Sequence, residues 1–168
     1  PVSISLEGLN AVSVYTASEM LDAVQKDLDK TDILIMAAAV ADYKPAEYSD
    51  KKIKKNDIEM SIALTRNPDI LKTIAPLKKD GQVFVGFAAE SNDVKENALK
   101  KLDAKQLDFI AANDISRSDI GFESEENEVA IYFADGSILD TGKVSKDKIA
   151  RIILDKAFDI YGKKNGSV

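Results

Sequence analysis

Residues 32–40 read DILIMAAAV, a continuous apolar run that follows a single aspartate. Periodicity alone does not assign such a run, but its Ile-Leu-Ile-Met opening indicates a strand that is covered on both faces. Strands of that kind are typical of parallel sheets. The preceding segment agrees with this interpretation, because Thr16 and Glu19 have the spacing of a capping box and helical spacing of apolar residues continues to about Lys30.

Strand and helix patterns continue to alternate along the rest of the chain. Strands are predicted at 83–88, 108–112, 128–133 and 137–140, and helices at 93–105 and 145–161. The last two strands flank an Ala-Asp-Gly turn, which indicates a hairpin. This alternation predicts an α/β fold: a Rossmann-like three-layer domain over 1–168, with a mostly parallel sheet and a C-terminal antiparallel hairpin.

The segments between these elements are less regular. Alternation predicts strands at 10–15 and 58–64, and the charged stretch at about 43–57 is expected to be a long loop or flap. The sequence Asn-Pro-Asp at 67–69 predicts a helix start, with Asn as N-cap and a helix that continues to about Pro76. Because the chain opens on a proline without an initiator Met, we expect it to be truncated at its N-terminus.

Composition limits the chemistry that the chain can perform. The 168 residues include no Cys and no His, which excludes disulfides, thiolate metal sites and the commonest general base. The net charge of -6 and the lack of a long apolar segment predict a cytoplasmic protein that binds neither nucleic acid nor membrane. Chemistry is left to carboxylates, lysines, backbone amides and a borrowed metal or nucleotide.

Polar side chains follow the apolar runs where three predicted strands end. They are Asp42, Glu90 and the pair Asn113 and Asp114. The carboxyl ends of parallel strands share one edge of a sheet, and the small residues there allow a flat ligand to approach the backbone. Taken one at a time, each position is explained better by tight packing of Ala-rich strand ends or by acidic capping residues, but the recurrence of the pattern on successive strands favours a ligand site.

Lysines concentrate in two places, and each has two explanations. The run KKIKK at 51–55 is either an ordinary solvated surface or a segment that captures phosphate. Lys101 and Lys105 share one helix face at i,i+4 spacing, where their mild repulsion would be relieved by an anion. The helix start at 67–69 likewise offers free backbone amides to an anion, although it also makes sense as a cap alone.

These motifs occur in an order and spacing that resembles the phosphopantothenate–cysteine ligase (phosphopantothenoylcysteine synthetase) module of coenzyme A biosynthesis, from Pro1 to about Phe158. The motifs are AAVADYKP at 38–45, KIKK at 52–55, NPDIL at 67–71, GFAAE at 86–90, ANDI at 112–115 and GF at 121–122. The resemblance also implies a strand, a glycine-rich loop and a helix that would precede Pro1.

The resemblance implies a ligase with CTP as co-substrate. The carboxylate of 4'-phosphopantothenate would form an acyl-cytidylate with release of pyrophosphate, and the amine of L-cysteine would then displace CMP. Magnesium is implied with the triphosphate, FMN is not expected on this chain, and a homodimer is implied. In the full-length protein, fusion to a flavin-dependent decarboxylase is implied. The alternative is a non-catalytic nucleotide-binding or dimerisation module of the same fold.

The resemblance also assigns site residues. Met36, Ala37, Ala38 and Asp42 match a strand end that contacts the nucleotide. Pro68, Asp69, Ile70 and Leu71 match a helix start that meets the nucleotide. Lys52 matches the flap lysine that reaches the triphosphate and is the catalytic candidate. Phe87 matches an aromatic residue of the cytidine pocket, and Lys101 and Lys105 match helix lysines at the nucleotide site.

Overall fold

A computed structural model of the protein describes residues 7–51, 60–116 and 126–166. They form two compact units: Pro1–Leu28 with Val40–Ile70, called here the ribbon unit, and Asp29–Ala39 with Leu71–Val168, called the sheet unit. Within the described ranges, no helix combines the length and the apolar character needed to cross a membrane. The single domain over 1–168 stays a prediction.

The elements are numbered along the chain. The strands are β1 (Ile33–Met36), β2 (Tyr43–Pro45), β3 (Leu64–Arg66), β4 (Val83–Glu90), β5 (Phe109–Asp114), β6 (Glu126–Asn127), β7 (Ala130–Phe133), β8 (Ile138–Asp140) and β9 (Val144–Ser145). The helices are α1 (Ala17–Asp27), α2 (Ile70–Ile74), α3 (Val94–Ala104) and α4 (Lys146–Lys164), and 3₁₀ turns lie at Leu28–Lys30 and Ala75–Leu77.

The sheet unit is built on a mixed sheet of strand order β1-β4-β5-β7-β8 among the described residues. Strands β1, β4 and β5 run parallel, and β7 and β8 form an antiparallel hairpin beside β5. This confirms the predicted α/β fold with mostly parallel core strands and a C-terminal hairpin. The run at 32–40 is a strand only as far as Met36; residues 37–39 are exposed beyond its end.

The core of the sheet unit lies between one face of the sheet and α4. Alternate residues of β4 and β5 point to this face, and α4 presents residues at i,i+4 spacing to them. The buried cluster comprises Val83, Val85, Phe109, Ala111, Val129, Ile131, Ile149, Ile153 and Ala157. Full burial of a large apolar side chain contributes about 1.5–3 kcal/mol, so this cluster is a substantial source of the sheet unit's stability. The predicted closing helix is confirmed, with Ser145 as its N-cap.

Gly86 occupies the middle of β4, where a larger residue has no room. A Cβ atom at this position would lie 2.6 Å from Leu107 Cδ1, closer than carbon atoms can approach. The glycine therefore lets the connection between α3 and β5 pack directly on the β4 backbone.

A buried polar network closes the amino-terminal edge of the same sheet. The Asp108 carboxylate accepts hydrogen bonds from Lys78 Nζ at 2.9 Å, Lys164 Nζ at 2.6 Å and the Phe84 amide at 2.7 Å. Lys78 Nζ also donates to the Gln106 carbonyl at 2.8 Å. The carboxylate thus ties the end of α4 to the starts of β4 and β5.

The ribbon unit contains α1 and an antiparallel ribbon of β2 and β3. The predicted capping box is confirmed: Thr16 Oγ1 accepts from the Glu19 amide, and the Glu19 carboxylate accepts from the Thr16 amide. Tyr43 pairs with Arg66 and Pro45 with Leu64 in the ribbon. Asn67 Nδ2 donates to the Ala41 carbonyl at 2.8 Å.

Four sequence predictions for this unit were wrong in part. Residues 10–15 are not a strand, because an alternating sequence also needs a neighbouring strand for its backbone hydrogen bonds, and no described residue pairs with them. The strand predicted at 58–64 is found at Leu64–Arg66, with residues 60–63 outside it. The expected loop at 43–57 begins as β2, and its residues 52–57 lie outside the described ranges. The helix predicted at 67–76 is present as α2 and the following 3₁₀ turn, but α2 begins at Ile70. Asn67 is therefore not its N-cap as predicted, and its side chain instead donates to the Ala41 carbonyl.

Candidate functional site

A cavity of about 230 Å³ lies at the carboxyl edge of the sheet, where β1, β4 and β5 end. This edge is the usual ligand site of an open parallel sheet. The residues that line it are Ala37, Ala38, Ala39, Phe87, Ala88, Ala89, Asn113, Asn127 and Lys146. The alanines leave the backbone accessible, so the cavity suits a flat group placed against the Phe87 ring.

Asn113 is the polar side chain of greatest interest in this cavity. It is in register with Ala89 on the neighbouring strand, and Ala89 comes two positions after Phe87, so all three side chains point to the same face. Asn113 is only 8% exposed, and no described residue forms a hydrogen bond with its Oδ1 atom. An unpaired buried polar group costs about 1–3 kcal/mol, a cost that a ligand hydrogen bond would offset.

A second cavity, of about 450 Å³, adjoins the first and runs between the sheet and α4. Ala37, Phe87, Asn127 and Lys146 line both cavities. The remaining lining of the second cavity is aliphatic, from residues such as Ile35 and Ile153. Phe87 therefore lines both the first cavity, which contains the Asn113 carboxamide, and the second cavity, which is mostly apolar.

The structure brings together some of the predicted site residues in the sheet unit. Ala37, Ala38 and Phe87 line the first cavity, and Met36 is buried at the end of β1 directly before them. Leu71 is also buried in this unit.

The remaining predicted residues of the strand end and of the helix start belong to the ribbon unit. The Asp42 carbonyl accepts from the Asn67 amide at 2.8 Å, which fixes the chain just before Pro68 and Asp69. Ile70 is the last residue of this unit and is buried. Lys52 lies outside the described residues, so its role stays a prediction.

Lys101 and Lys105 do not line the cavity that contains Phe87. Lys101 forms an ion pair with Glu90, the last residue of β4. Because side chains alternate along a strand, Glu90 and Phe87 project to opposite faces of the sheet. Lys101 thus reaches the carboxyl edge from the face opposite the cavity. The predicted role of both lysines at a nucleotide site stays a prediction.

Asn127 and Lys146 were not identified from the sequence as candidates. They come together because β6 pairs with β9, with Asn127 opposite Val144, and α4 begins directly after β9. Ser145 is the N-cap of α4, so Lys146 lies in its first turn. The position of Lys146 at the start of this helix could therefore have been predicted from the sequence. Strands of two residues leave no periodicity, so the position of Asn127 had no comparable pattern.

Comparison with known proteins gives a consistent result. Residues 1–160 match the model of the family described as "DNA/pantothenate metabolism flavoprotein C-terminal domain". Proteins named "Coenzyme A biosynthesis bifunctional protein CoaBC" are similar: that of Vibrio vulnificus is 42% identical over 139 residues, and that of Bacillus subtilis is 42% identical over 149 residues. These matches cover 81% and 89% of this chain, but only 35% of each relative. The chain therefore spans about a third of the length of these relatives.

Solved structures agree with the sequence relatives. The crystal structure of the C-terminal domain of a coenzyme A biosynthesis bifunctional protein CoaBC matches with a TM-score of 0.71 and 35% identity, over 88% of this chain and 64% of that one. The structure of a Cab2 H337A mutant in complex with phosphopantothenate-cysteine has a TM-score of 0.73 over 95% of this chain and 55% of that one. At 14% identity, this second similarity shows the fold alone.

Proposed function

The chain belongs to the DNA/pantothenate metabolism flavoprotein C-terminal domain family, and from that premise we propose that it carries the phosphopantothenate–cysteine ligase reaction of coenzyme A biosynthesis, with CTP as the activating nucleotide. One observation carries the proposal: the cavity at the carboxyl edge of the sheet is lined by the Phe87 ring and by Asn113, whose buried carboxamide oxygen has no partner among the described residues. A cytosine base offers a flat face to Phe87 and an amine to Asn113.

The proposed reaction has two steps and needs no enzyme nucleophile. A carboxylate oxygen of 4'-phosphopantothenate attacks the α-phosphorus of CTP, the bond between that phosphorus and the bridging oxygen breaks, and pyrophosphate leaves with the electron pair. The amine of L-cysteine then attacks the acyl carbon, the bond to CMP breaks, and one proton is lost as the amide forms. The protein contributes orientation and charge stabilisation, which suits a chain without Cys or His.

Magnesium belongs to the nucleotide in this proposal. The described residues contain no group of three acidic side chains placed to hold a metal ion, so they do not fit a resident metal. The phosphate oxygens of CTP are themselves good ligands for Mg²⁺. We therefore treat the metal as part of the co-substrate and derive no step from a metal held by the protein.

Pyrophosphate release measured with CTP and 4'-phosphopantothenate tests the proposal directly. The wild-type protein is expected to release pyrophosphate, and Lys52→Ala is expected to lower the rate by about 10- to 1000-fold, because it removes a cation from the triphosphate. Lys79→Ala is the matched control, since it also removes one positive charge but from an exposed pair with Asp29. Absence of pyrophosphate release by the wild type would contradict the ligase.

The alternative of a non-catalytic nucleotide-binding module makes a different prediction in the same assay. Such a module would bind CTP in calorimetry and release no pyrophosphate with any substrate. The relatives named above are bifunctional proteins of coenzyme A biosynthesis, which favours the ligase over this alternative. By the same comparison we propose that the full-length protein carries a second, fused activity.

The ribbon unit supports the proposal of a homodimer. Tyr43, Met60, Ile62 and Leu64 are large apolar residues that are at least half exposed on or next to the β2–β3 ribbon. A two-stranded ribbon with apolar exposed residues is marginally stable alone and gains stability by pairing with a second copy. Sedimentation equilibrium is expected to return twice the chain mass of 18.3 kDa, and a single-chain mass at micromolar concentration would refute the dimer.

A further inference from the structure

We propose that Glu90 is a positioning residue that holds the Lys101 ammonium at the carboxyl edge of the sheet, where it meets the triphosphate of CTP. This inference rests on the proposed function, because it takes CTP as the ligand. It goes beyond that function by assigning a role to a carboxylate which carries the same charge as the ligand and therefore has no direct use in binding it.

The position of Glu90 is fixed by the backbone of the sheet. It is the last residue of β4 and is in register with Asp114 of β5, and its carbonyl accepts from the Ile115 amide at 2.9 Å. Its side chain is only 15% exposed. A carboxylate held in this way is a rigid anchor, unlike an acid on a surface loop.

Lys101 is the flexible partner of the pair. It lies in the last turn of α3, and its Nζ is 2.5 Å from Glu90 Oε1. The Lys101 side chain is 44% exposed, so the ammonium contacts the carboxylate and solvent together. An ammonium has three donors, and the ion pair with Glu90 uses one of them.

The arrangement limits the freedom of a long side chain before the ligand arrives. A lysine that is free in solution loses rotamer entropy when it binds phosphate, and a lysine already held in place loses less. Glu90 also repels phosphate, so its net effect on affinity has two opposing parts. Our proposal is that the gain in CTP affinity from positioning Lys101 exceeds the loss from repulsion between Glu90 and phosphate. Mutations of Glu90 separate the two effects.

Glu90→Ala removes both the anchor and the charge, whereas Glu90→Gln keeps an acceptor oxygen of the same shape and removes only the charge. We expect calorimetric titration with CTP to show affinity reduced about 5- to 10-fold in Glu90→Ala and within about twofold of wild type in Glu90→Gln. Equal or tighter CTP binding by Glu90→Ala would overturn the proposal, since Glu90 would then act only as a counter-charge.

A double-mutant cycle tests whether Glu90 acts through Lys101. In a Lys101→Ala background only the repulsion by Glu90 remains, so adding Glu90→Ala is expected to leave the CTP affinity unchanged or to raise it slightly. A further loss would overturn the positioning role. Glu96→Ala is the matched control, because Glu96 forms an exposed ion pair with Lys100 on the same helix. Its CTP affinity should equal that of wild type.

An independent readout does not depend on the nucleotide. The rate at which acetic anhydride labels Lys101, followed by mass spectrometry, should rise several-fold in Glu90→Ala while the labelling of Lys79 stays constant. An unchanged Lys101 rate would overturn the proposal. A wild-type protein that binds no CTP would refute the proposed nucleotide site and the inference together, whereas wild-type binding with an unaffected Glu90→Ala would refute the inference alone.

Discussion

Asp108→Ala should lower the free energy of unfolding by about 1–3 kcal/mol, the cost of leaving largely buried donors without their shared acceptor. In chemical denaturation the variant should unfold at a clearly lower denaturant concentration with an unchanged slope. The Asp108 side chain is only 10% exposed and accepts from two ammonium groups and one backbone amide.

The size of this effect follows from what the alanine leaves behind. Burial lowers the pKa of Lys78 more than its hydrogen bond and ion pair with Asp108 raise it, so the Lys78 ammonium is already in a costly place. Without the carboxylate, the Lys78 ammonium loses its counter-charge and keeps its hydrogen bond to the Gln106 carbonyl. The Phe84 amide and the Lys164 ammonium lose a partner as well.

The network also predicts how stability depends on pH. Burial raises the pKa of Asp108, but the hydrogen bonds from Lys164, Lys78 and the Phe84 amide together outweigh it and hold that pKa below the ordinary value of 3.8. A depressed carboxylate pKa contributes stability that is present above the unfolded pKa and is lost as the pH falls through the folded one. The difference between wild type and Asp108→Ala should therefore be full at pH 7 and shrink below about pH 4.

Asp29→Ala is the control for this prediction. Asp29 pairs with Lys79 at 2.7 Å, but both side chains are more than half exposed. Exposed pairs contribute about 0–1 kcal/mol, so the variant should unfold close to wild type. If Asp108→Ala were as mild as Asp29→Ala, the network would not be a principal support of the sheet unit.

The sheet unit was the part of the fold that the sequence predicted well, and its residues explain why. Strand β4 is a long apolar run, and α4 has a serine cap followed by Ile149 and Ile153 at helical spacing. Each of these patterns agrees with the burial that the folded chain provides. Local preference and tertiary packing then favour the same structure.

The ribbon unit was predicted less well for the opposite reason. The alternating residues at 10–15 and 58–64 predicted strands with one apolar face, but the pattern does not show which segment would pair with each strand. The β2–β3 ribbon is set instead by pairing of Tyr43 with Arg66 and of Pro45 with Leu64. A pairing between segments that are far apart in sequence leaves no local periodic pattern.

The candidate site shows the same division. The alanines and Phe87 could be predicted because they follow apolar strand ends, where parallel strands meet ligands. The separation of Lys101 from the Phe87 cavity depends on the face to which each strand residue projects, which follows from strand register. That no described residue donates a hydrogen bond to the Asn113 oxygen is a property of the folded chain, and no sequence pattern predicts it.

Asn113→Ala should reduce CTP affinity by about 10- to 100-fold and should reduce UTP affinity far less. The two bases differ at ring position 4, where cytosine carries an amine that donates and uracil an oxygen that accepts. The unpaired carboxamide oxygen of Asn113 can accept from the amine only. Removing it costs the hydrogen bond with cytosine, worth about 1–3 kcal/mol in a buried site, and costs nothing comparable with uracil.

Asn113 and Asp108 lie five residues apart at the two ends of β5, and they should respond to replacement in opposite ways. Asp108 has all its partners within the protein, so its loss destabilises the fold. The Asn113 oxygen has no partner in the described part of the chain, so Asn113→Ala should leave the midpoint of thermal unfolding unchanged or raise it while nucleotide binding falls. Calorimetric titration with CTP and UTP, paired with thermal denaturation of the same samples, checks both halves. Equal losses of CTP and UTP affinity would show that Asn113 does not contact the amine of cytosine. A large drop in the unfolding midpoint would show that Asn113 is a structural residue like Asp108.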